Sequence, residues 1–269
     1  MKLSVNGHET HVATGGKEFD VSLPTVLFLH GSGLDHRSWA LQTRWFAYNG
    51  FGVLAPDFPE HSLSQGHACK TIEESAQWVL DFLHVVGVKK THVVGHSQGF
   101  LSALELLKLK PDLVTSLTGI GTAAAIPVNT MLIETAKKSA MKAANMMLQW
   151  GFGSATHMGA SATPGMQPIA IGRQIMGNNP LAADLQSCAD YSAGDDAVSQ
   201  VKAPSAMILA SQDKMTPLKA GLVVAKNLNA KLTVLEGFGH MLPIEAPKQV
   251  LAALREFIVS VEEKQCELK

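Results

Sequence analysis

Gly95-His96-Ser97-Gln98-Gly99 joins two stretches of chain that favour different backbones. Before it, Thr91-His92-Val93-Val94 is rich in strand-forming residues. After it, the run from Phe100 to Lys108 carries apolar residues at helical spacing. A serine held in so tight a strand-to-helix turn sits in strained backbone, with its hydroxyl lifted above the sheet edge. The glycines two before and two after it are required because a Cβ there would collide across the turn. The helix that follows aims its first amides at any negative charge developing beside the serine.

A serine so placed is a candidate nucleophile, and a nucleophilic serine needs a base that is oriented by an acid. Ser205-Ala206-Met207-Ile208-Leu209-Ala210 reads as a buried strand and is followed by Ser211-Gln212-Asp213-Lys214-Met215-Thr216-Pro217. Thr216 is suited to capping a helix and Pro217 to its first position, which leaves Asp213 on a loop at a strand's carboxyl end. Lys231-Leu232-Thr233-Val234-Leu235 reads as a further strand, followed by Glu236-Gly237-Phe238-Gly239-His240, and Pro247 opens a last helix to about Val261. The chain order Ser97, Asp213, His240 is the order expected when all three stand at the top of one parallel sheet. Glu236 is the next candidate for the acid. Upstream, the strand Thr25-Val26-Leu27-Phe28-Leu29 runs into His30-Gly31-Ser32-Gly33, a turn able to present free amides to the serine. The oxyanion donors expected are the N–H groups of Ser32 and Gln98, with Gly33 as the substitute for Ser32.

An N-terminal hairpin about Asn6-Gly7 is expected, then a helix near 38–49, a strand at 52–56, a helix near 72–86 and a strand at 113–120. This repetition implies a mostly parallel sheet with right-handed crossovers. Between Gly121 and about Gln200 the repetition stops. Residues 129–150 read as one amphipathic helix, and shorter helices follow at about 166–176 and 180–191. Seven of the chain's 11 methionines lie in this block: Met131, Met141, Met146, Met147, Met158, Met166 and Met176. Trp150 and Phe152 accompany them, and Gly151, Gly153, Gly159 and Gly165 divide the block into pieces able to move. An insertion of this kind over the strand ends would line an adaptable apolar pocket.

These stretches, together with Trp39, Pro56-Asp57-Phe58-Pro59 and Gly239-His240, resemble the α/β-hydrolase family and within it the small serine hydrolases with a helical cap. The resemblance runs from about residue 20 to 260. It implies an α/β-hydrolase fold: a mostly parallel twisted sheet, helices on both faces, a core of residues 1–121 and 199–269, and a cap of residues 122–198. It places the triad on Ser97, Asp213 and His240. Gly31, Gly33, Met146, Trp150 and Met241 are the expected substrate-binding residues. One departure is visible: after Pro59 the family has a glycine-bracketed turn, where this chain has Glu60-His61-Ser62. The activity implied is two-step cleavage of esters of small or medium apolar acids, with no metal or organic cofactor. Three rivals are carbon–carbon bond hydrolysis, cofactor-free perhydrolysis (haloperoxidase activity), and a ligand receptor that retains the triad. The first would need a cation for its carboxylate-bearing substrate, and Arg173 is the only arginine in the insertion.

Composition excludes several other classes. A hydrophobic content of 46% suffices for a sheet covered on both faces, and a net charge of −1 gives no reason to expect nucleic acid or an anionic membrane as partner. The opening residues lack a signal peptide's apolar core, and no run reaches the length of a membrane span. Cys69, Cys188 and Cys266 are odd in number, far apart and without metal spacing, as expected of reduced thiols in a cytoplasmic protein. A monomer or homodimer acting on a small molecule is the expected form.

Overall fold

The computed structural model of the chain describes residues 1–159 and 167–267. Gly165 and Met166 lie outside the described residues, as does the side chain of Cys266. Strands β1 (Lys2–Val5) and β2 (His8–Ala13) form the expected hairpin, with Asn6 and Gly7 both at positive φ in the turn. Strand β3 (Thr25–Leu29) is followed by a 3-10 turn and helix α1 (Ala40–Tyr48), then β4 (Gly52–Pro56) and α2 (Ile72–Val86). Thr71 caps α2 by accepting from the Glu74 amide, and Gly87 ends it in the left-handed conformation. Strand β5 (Thr91–His96) leads into α3 (Gln98–Leu109), and β6 (Val114–Ile120) follows.

Among the described residues, six helices separate β6 from the next strand: α4 (Thr130–Lys138), α5 (Ala140–Gly151), α6 (Ser154–His157), α7 (Pro168–Met176), α8 (Leu181–Asp190) and α9 (Gly194–Gln200). The chain then returns through β7 (Ser205–Ala210), α10 (Leu218–Asn227), β8 (Lys231–Leu235), α11 (Leu242–Glu245) and α12 (Pro247–Glu267). The eight strands lie in the order β1-β2-β4-β3-β5-β6-β7-β8, antiparallel at the hairpin edge and parallel from β4 onward.

The parallel strands are apolar on both faces because each face is covered. Successive residues of a strand point to opposite sides. Leu27, Leu29, Val93, Met207 and Leu209 therefore join a cluster with Phe82, Leu83 and Phe100 of α2 and α3. Val26, Phe28, Val94, Ile208 and Ala210 join the opposite cluster with Phe46, Leu254 and Ile258 of α1 and α12.

Two sequence expectations change here. The helix expected over 129–150 is two helices, because Ser139 takes extended backbone and accepts from the Lys142 amide as the cap of α5. The last helix runs past Val261 to Glu267. The inserted helices build an apolar cluster of their own, in which Ile133, Met147, Leu148, Met176 and Leu185 meet Leu34, Met241 and Ile244. Ala197 and Val198 of α9 pack instead into the cluster beneath α3. No helix among the described residues is long and apolar enough to cross a membrane.

Polar ties fix the insertion to the sheet loops. Asn179 donates to the carbonyls of Gly33 (2.9 Å) and Leu34 (3.0 Å) and accepts from the Ser62 amide (2.8 Å). Asp184 of α8 accepts from the Gly33 amide at 2.6 Å and pairs with His61 Nε2 at 2.9 Å, both side chains being buried. Burial works against charge on His61, yet the neighbouring carboxylate and the hydrogen bond to it prevail and raise its pKa. Burial likewise pushes Asp184 up, but the His61 charge and hydrogen bond, with the Gly33 amide, hold it below its usual range.

The pair's stabilisation has a defined pH window. His61's share is complete below its ordinary value of 6.5 and fades as pH climbs through the raised folded value. Asp184's share is complete above its ordinary 3.8 and fades as pH falls through the depressed one. Asp184→Asn keeps an acceptor for Gly33 but removes the charge. It should cost about 3 kcal/mol near pH 5.5 and less near pH 9, by as much as wild-type His61 has given up its proton there. Denaturant midpoints at the two pH values measure this, and an equal loss at both would show that the charge contributes nothing.

Candidate active site

Ser97 stands between β5 and α3 with φ +52° and ψ −120°, a backbone that L-residues rarely adopt. Its amide is tied to the Ile120 carbonyl of β6 at 3.1 Å, and Thr122 Oγ1 donates to its carbonyl at 3.1 Å. The two glycines expected to be obligatory are so for separate reasons. A Cβ on Gly95 would come within 2.5 Å of the Phe100 backbone, across the turn itself. A Cβ on Gly99 would strike the carbonyl oxygens of Leu29 and His30, because α3 starts hard against the end of β3. Gly31 is confined as well, since a Cβ there would lie 2.8 Å from His96 Nδ1 and 3.1 Å from Ser97 Cβ.

The loops after β7 and β8 bring Asp213 and His240 together. His240 Nδ1 lies 2.8 Å from Asp213 Oδ2, with both side chains buried. Asp213 Oδ1 accepts from the amides of Met215 and Thr216 at 2.8 Å, and Thr216 Oγ1 donates to Oδ2 at 2.7 Å. Burial pushes the Asp213 carboxyl up, but His240 and these donors hold it below the usual carboxylate range. Helix α10 begins at Leu218, so Thr216 serves the carboxylate and is not the expected helix cap. No hydrogen bond joins Ser97 Oγ to His240 among the described residues; contacts of this kind commonly tighten only around a substrate.

His96 lies beneath the pair, its Nε2 3.0 Å from the His240 carbonyl and its ring 5.0 Å from the His240 ring. Burial, aided by His240, pushes its pKa down to about 3, so this imidazole is neutral. His30 is neutral for the same reason: burial and then His61 take it down to about 4. Its Nε2 accepts from the Phe58 amide at 3.2 Å, joining the loop after β3 to the loop after β4.

The amides of Ser32 and Gln98 have no acceptor within the chain among the described residues, and the side chains of the two residues are linked. Ser32 Oγ donates to Gln98 Oε1 at 2.9 Å, and Gln98 Nε2 donates to Ser187 Oγ of α8 at 3.2 Å. Gly33 is removed as a substitute donor, since its amide is committed to Asp184.

Ser32, His96, Ser97 and His240 form the polar floor of a cavity of about 130 Å³. Its apolar wall comes from Leu34, Ile126, Val128, Leu132, Met147, Trp150, Leu185, Met215 and Met241. Trp150 and Met241, two of the expected substrate-binding residues, thus line the cavity. Met146 does not: one residue along α5 is about 100° around the helix, and Met147 faces the cavity in its place. Gly31 and Gly33 shape the floor from outside and do not line it. Arg173 is also absent from the lining, whereas the exposed Lys214 is present.

Sequence reasoning also missed Glu245. Its carboxylate accepts from the amides of Gly153 (2.6 Å) and Gly239 (2.8 Å) and from Thr156 Oγ1 (2.8 Å), fastening the end of α5 to the His240 loop. Burial pushes this carboxyl up against the pull of its donors. The available signal was one acid inside the otherwise apolar stretch Met241–Ala246. A buried charge in such a run requires partners.

Residues 26–254 match the model of the Alpha/beta hydrolase family. The enol-lactonase from Burkholderia xenovorans LB400 superimposes with a TM-score of 0.85 at 21% identity, over 96% of this chain and 100% of that one. A thermophilic esterase superimposes with a TM-score of 0.79 at 26% identity, over 97% of each chain. The 2-hydroxy-6-oxononadienedioate/2-hydroxy-6-oxononatrienedioate hydrolase of Burkholderia vietnamiensis is 26% identical over 251 residues, 87% of this chain and 86% of that protein. Of other curated relatives that it matches, the chain spans only 25% to 57% of their length. On the strength of the matched region and the shared sheet, the chain belongs to the alpha/beta hydrolase family.

Proposed function

We propose that this chain is a serine hydrolase that cleaves carboxylic esters of small to medium apolar acids through an acyl-enzyme. The observation that carries the reading is the strained Ser97 at the floor of an apolar cavity shared with His240, whose far nitrogen is held by Asp213 at 2.8 Å. The esterase at 26% identity over nearly all of both chains supports it.

With Nδ1–H donated to Asp213, His240 presents Nε2 as the base. It takes the Ser97 proton as Oγ attacks the ester carbonyl. The negative charge that forms on the carbonyl oxygen is met by the amides of Ser32 and Gln98. The imidazolium, stabilised by Asp213, returns the proton to the leaving alcohol. Water then repeats the sequence on the acyl-enzyme and releases the acid.

A fluorophosphonate should label Ser97, and Ser97→Ala should lose both the label and about 10⁴-fold or more of ester turnover. Asp213→Asn should fold normally and lose about 10³- to 10⁴-fold, because the imidazole tautomer is no longer held. Parental turnover in Ser97→Ala sinks the proposal.

The cavity wall sets acyl length. Trp150→Ala should move the chain-length profile toward longer acids, by about 1–3 kcal/mol of discrimination per methylene. A purely structural Trp150 predicts instead a stability loss of about 3–5 kcal/mol with an unchanged profile. Melting curves and a panel of chromogenic esters separate the two outcomes.

A second reading, carbon–carbon bond hydrolysis, draws on Lys214, a cationic residue on the cavity lining from which Arg173 is absent. The relative named for 2-hydroxy-6-oxononadienedioate hydrolysis supports it. Under this reading Lys214→Met should lower kcat/KM about tenfold or more for acids bearing a second carboxylate and leave neutral esters unchanged. Equal effects on both substrate classes would remove Lys214 from substrate recognition.

A further inference from the structure

His11, His36 and Asp57 come together away from the Ser97 cavity. The antiparallel pairing of β2 with β4 matches Val12 with Pro56, and the Asp57 amide donates to the His11 carbonyl at 3.0 Å. The hairpin strand thus sets His11 beside Asp57. The 3-10 turn after β3 adds His36, whose amide and Nδ1 lie 2.8 Å and 2.7 Å from Asp57 Oδ1. The two imidazole rings are 4.6 Å apart at an angle of 52°. One ligand atom from each of the three residues falls within 4.8 Å of the others. His11 and His36 line a surface cavity of about 410 Å³ that shares no residue with the Ser97 cavity.

Two features are not explained by a structural role alone. His11 Nδ1 is buried and has no hydrogen-bond partner in the chain among the described residues. Such an atom forfeits its hydration for nothing unless something else binds it. The fully buried carboxylate of Asp57 has no lysine or arginine within salt-bridge distance among the described residues, and Arg37 acts on it only at longer range; it accepts from the His36 and Leu63 amides, with the His36 imidazole beside it.

We propose that His11, His36 and Asp57 form a binding site for a divalent transition-metal ion of the zinc type. Two imidazoles and one carboxylate suit zinc, nickel or cobalt, whereas calcium and magnesium favour all-oxygen sets. Bonds of about 2.0–2.2 Å in tetrahedral geometry put neighbouring ligand atoms roughly 3.3–3.6 Å apart. His36 Nδ1 and Asp57 Oδ1, 2.7 Å apart, therefore open by roughly 0.6–0.9 Å as the ion replaces the shared proton, while the set, spread over as much as 4.8 Å, draws in around it. The remaining coordination positions face the cavity and take water. Burial and the nearby His36, with the N-terminal ammonium and Lys2, favour the neutral form of His11, while Asp57 opposes them; a neutral imidazole is the form a metal requires. Those cations, with Arg37 and Arg44 on the cavity wall, also repel an ion and lower the affinity expected of the site. An ion here would clasp the hairpin, the turn after β3 and the end of β4, and so would raise the melting temperature.

The test uses the full chain stripped with EDTA. Zinc chloride at pH 7.5 should bind with one ion per chain and raise the melting temperature, and binding should weaken as pH falls, because protons compete with the ion for its ligand atoms. His11→Ala and His36→Ala should each weaken binding about 10- to 100-fold or more, judged against their own melting curves in EDTA. Cys69→Ser should bind as the parent does, and cobalt should give visible bands without the near-ultraviolet band of a thiolate ligand. Absence of stoichiometric zinc binding in the parent chain overturns the proposal. So does unchanged binding in both histidine variants, which would place the ion elsewhere.

Discussion

The approach of α3 to β3 is the contact on which the rest of this molecule depends. The first turn of α3 meets the carbonyl oxygens of Leu29 and His30 so closely that only a glycine fits at position 99. The same closeness forces Ser97 to φ +52° and sets the Gln98 amide at the open end of the helix. It also brings the loop after β3 under the serine, where Gly31 packs on His96 and Ser97. Strain of this kind costs on the order of 1–3 kcal/mol and persists only when its surroundings over-determine it. Here the surroundings are the paired strands β3, β5 and β6 and the bonds from Ile120 and Thr122 to Ser97.

Much of this was legible in the sequence because it is local. The short apolar or strand-forming runs of β3, β5 and β7 and the glycine spacing about Ser97 each register within a few residues. Asp213 and His240 were legible because a strand end can be located without knowing its neighbours. What was not legible depends on which residues meet across long separations. Asp184 finds Gly33 and His61 through the placement of α8, and nothing near position 184 announces it. Met147 rather than Met146 faces the cavity because Ser139 starts α5 anew, which sets the rotation of the helix. Thr216 was visible but taken for a helix cap, since a hydroxyl before a proline fits that role equally well in sequence. Lys214 sits beside the residue singled out as the acid, yet whether its side chain reaches the cavity is decided by the loop's path and not by spacing.

Histidines in this structure divide by partner and not by depth. His30, His61 and His96 are equally buried, yet His30 and His96 are driven neutral while His61 is driven toward charge. The difference is the Asp184 carboxylate, delivered by the inserted helices. This also accounts for the departure at Glu60-His61-Ser62. Where the family has a glycine-bracketed turn, this chain has Glu60 and Ser62 at positive φ and an imidazole that fastens the turn to α8. The added side chain exchanges backbone freedom for an electrostatic clasp.

Helix α8 reaches the floor of the site by two routes: Asp184 on the Gly33 amide, and Ser187 on the Gln98 side chain that itself holds Ser32. The residues whose amides lie open beside Ser97 are therefore spaced by a helix from the opposite side of the cavity. An excursion that lifts α8 to admit a molecule would slacken both routes together, and its return would restore the spacing. Access and readiness would then be mutually exclusive states of one lever, with bulk water kept from the assembled site by the same movement that assembles it.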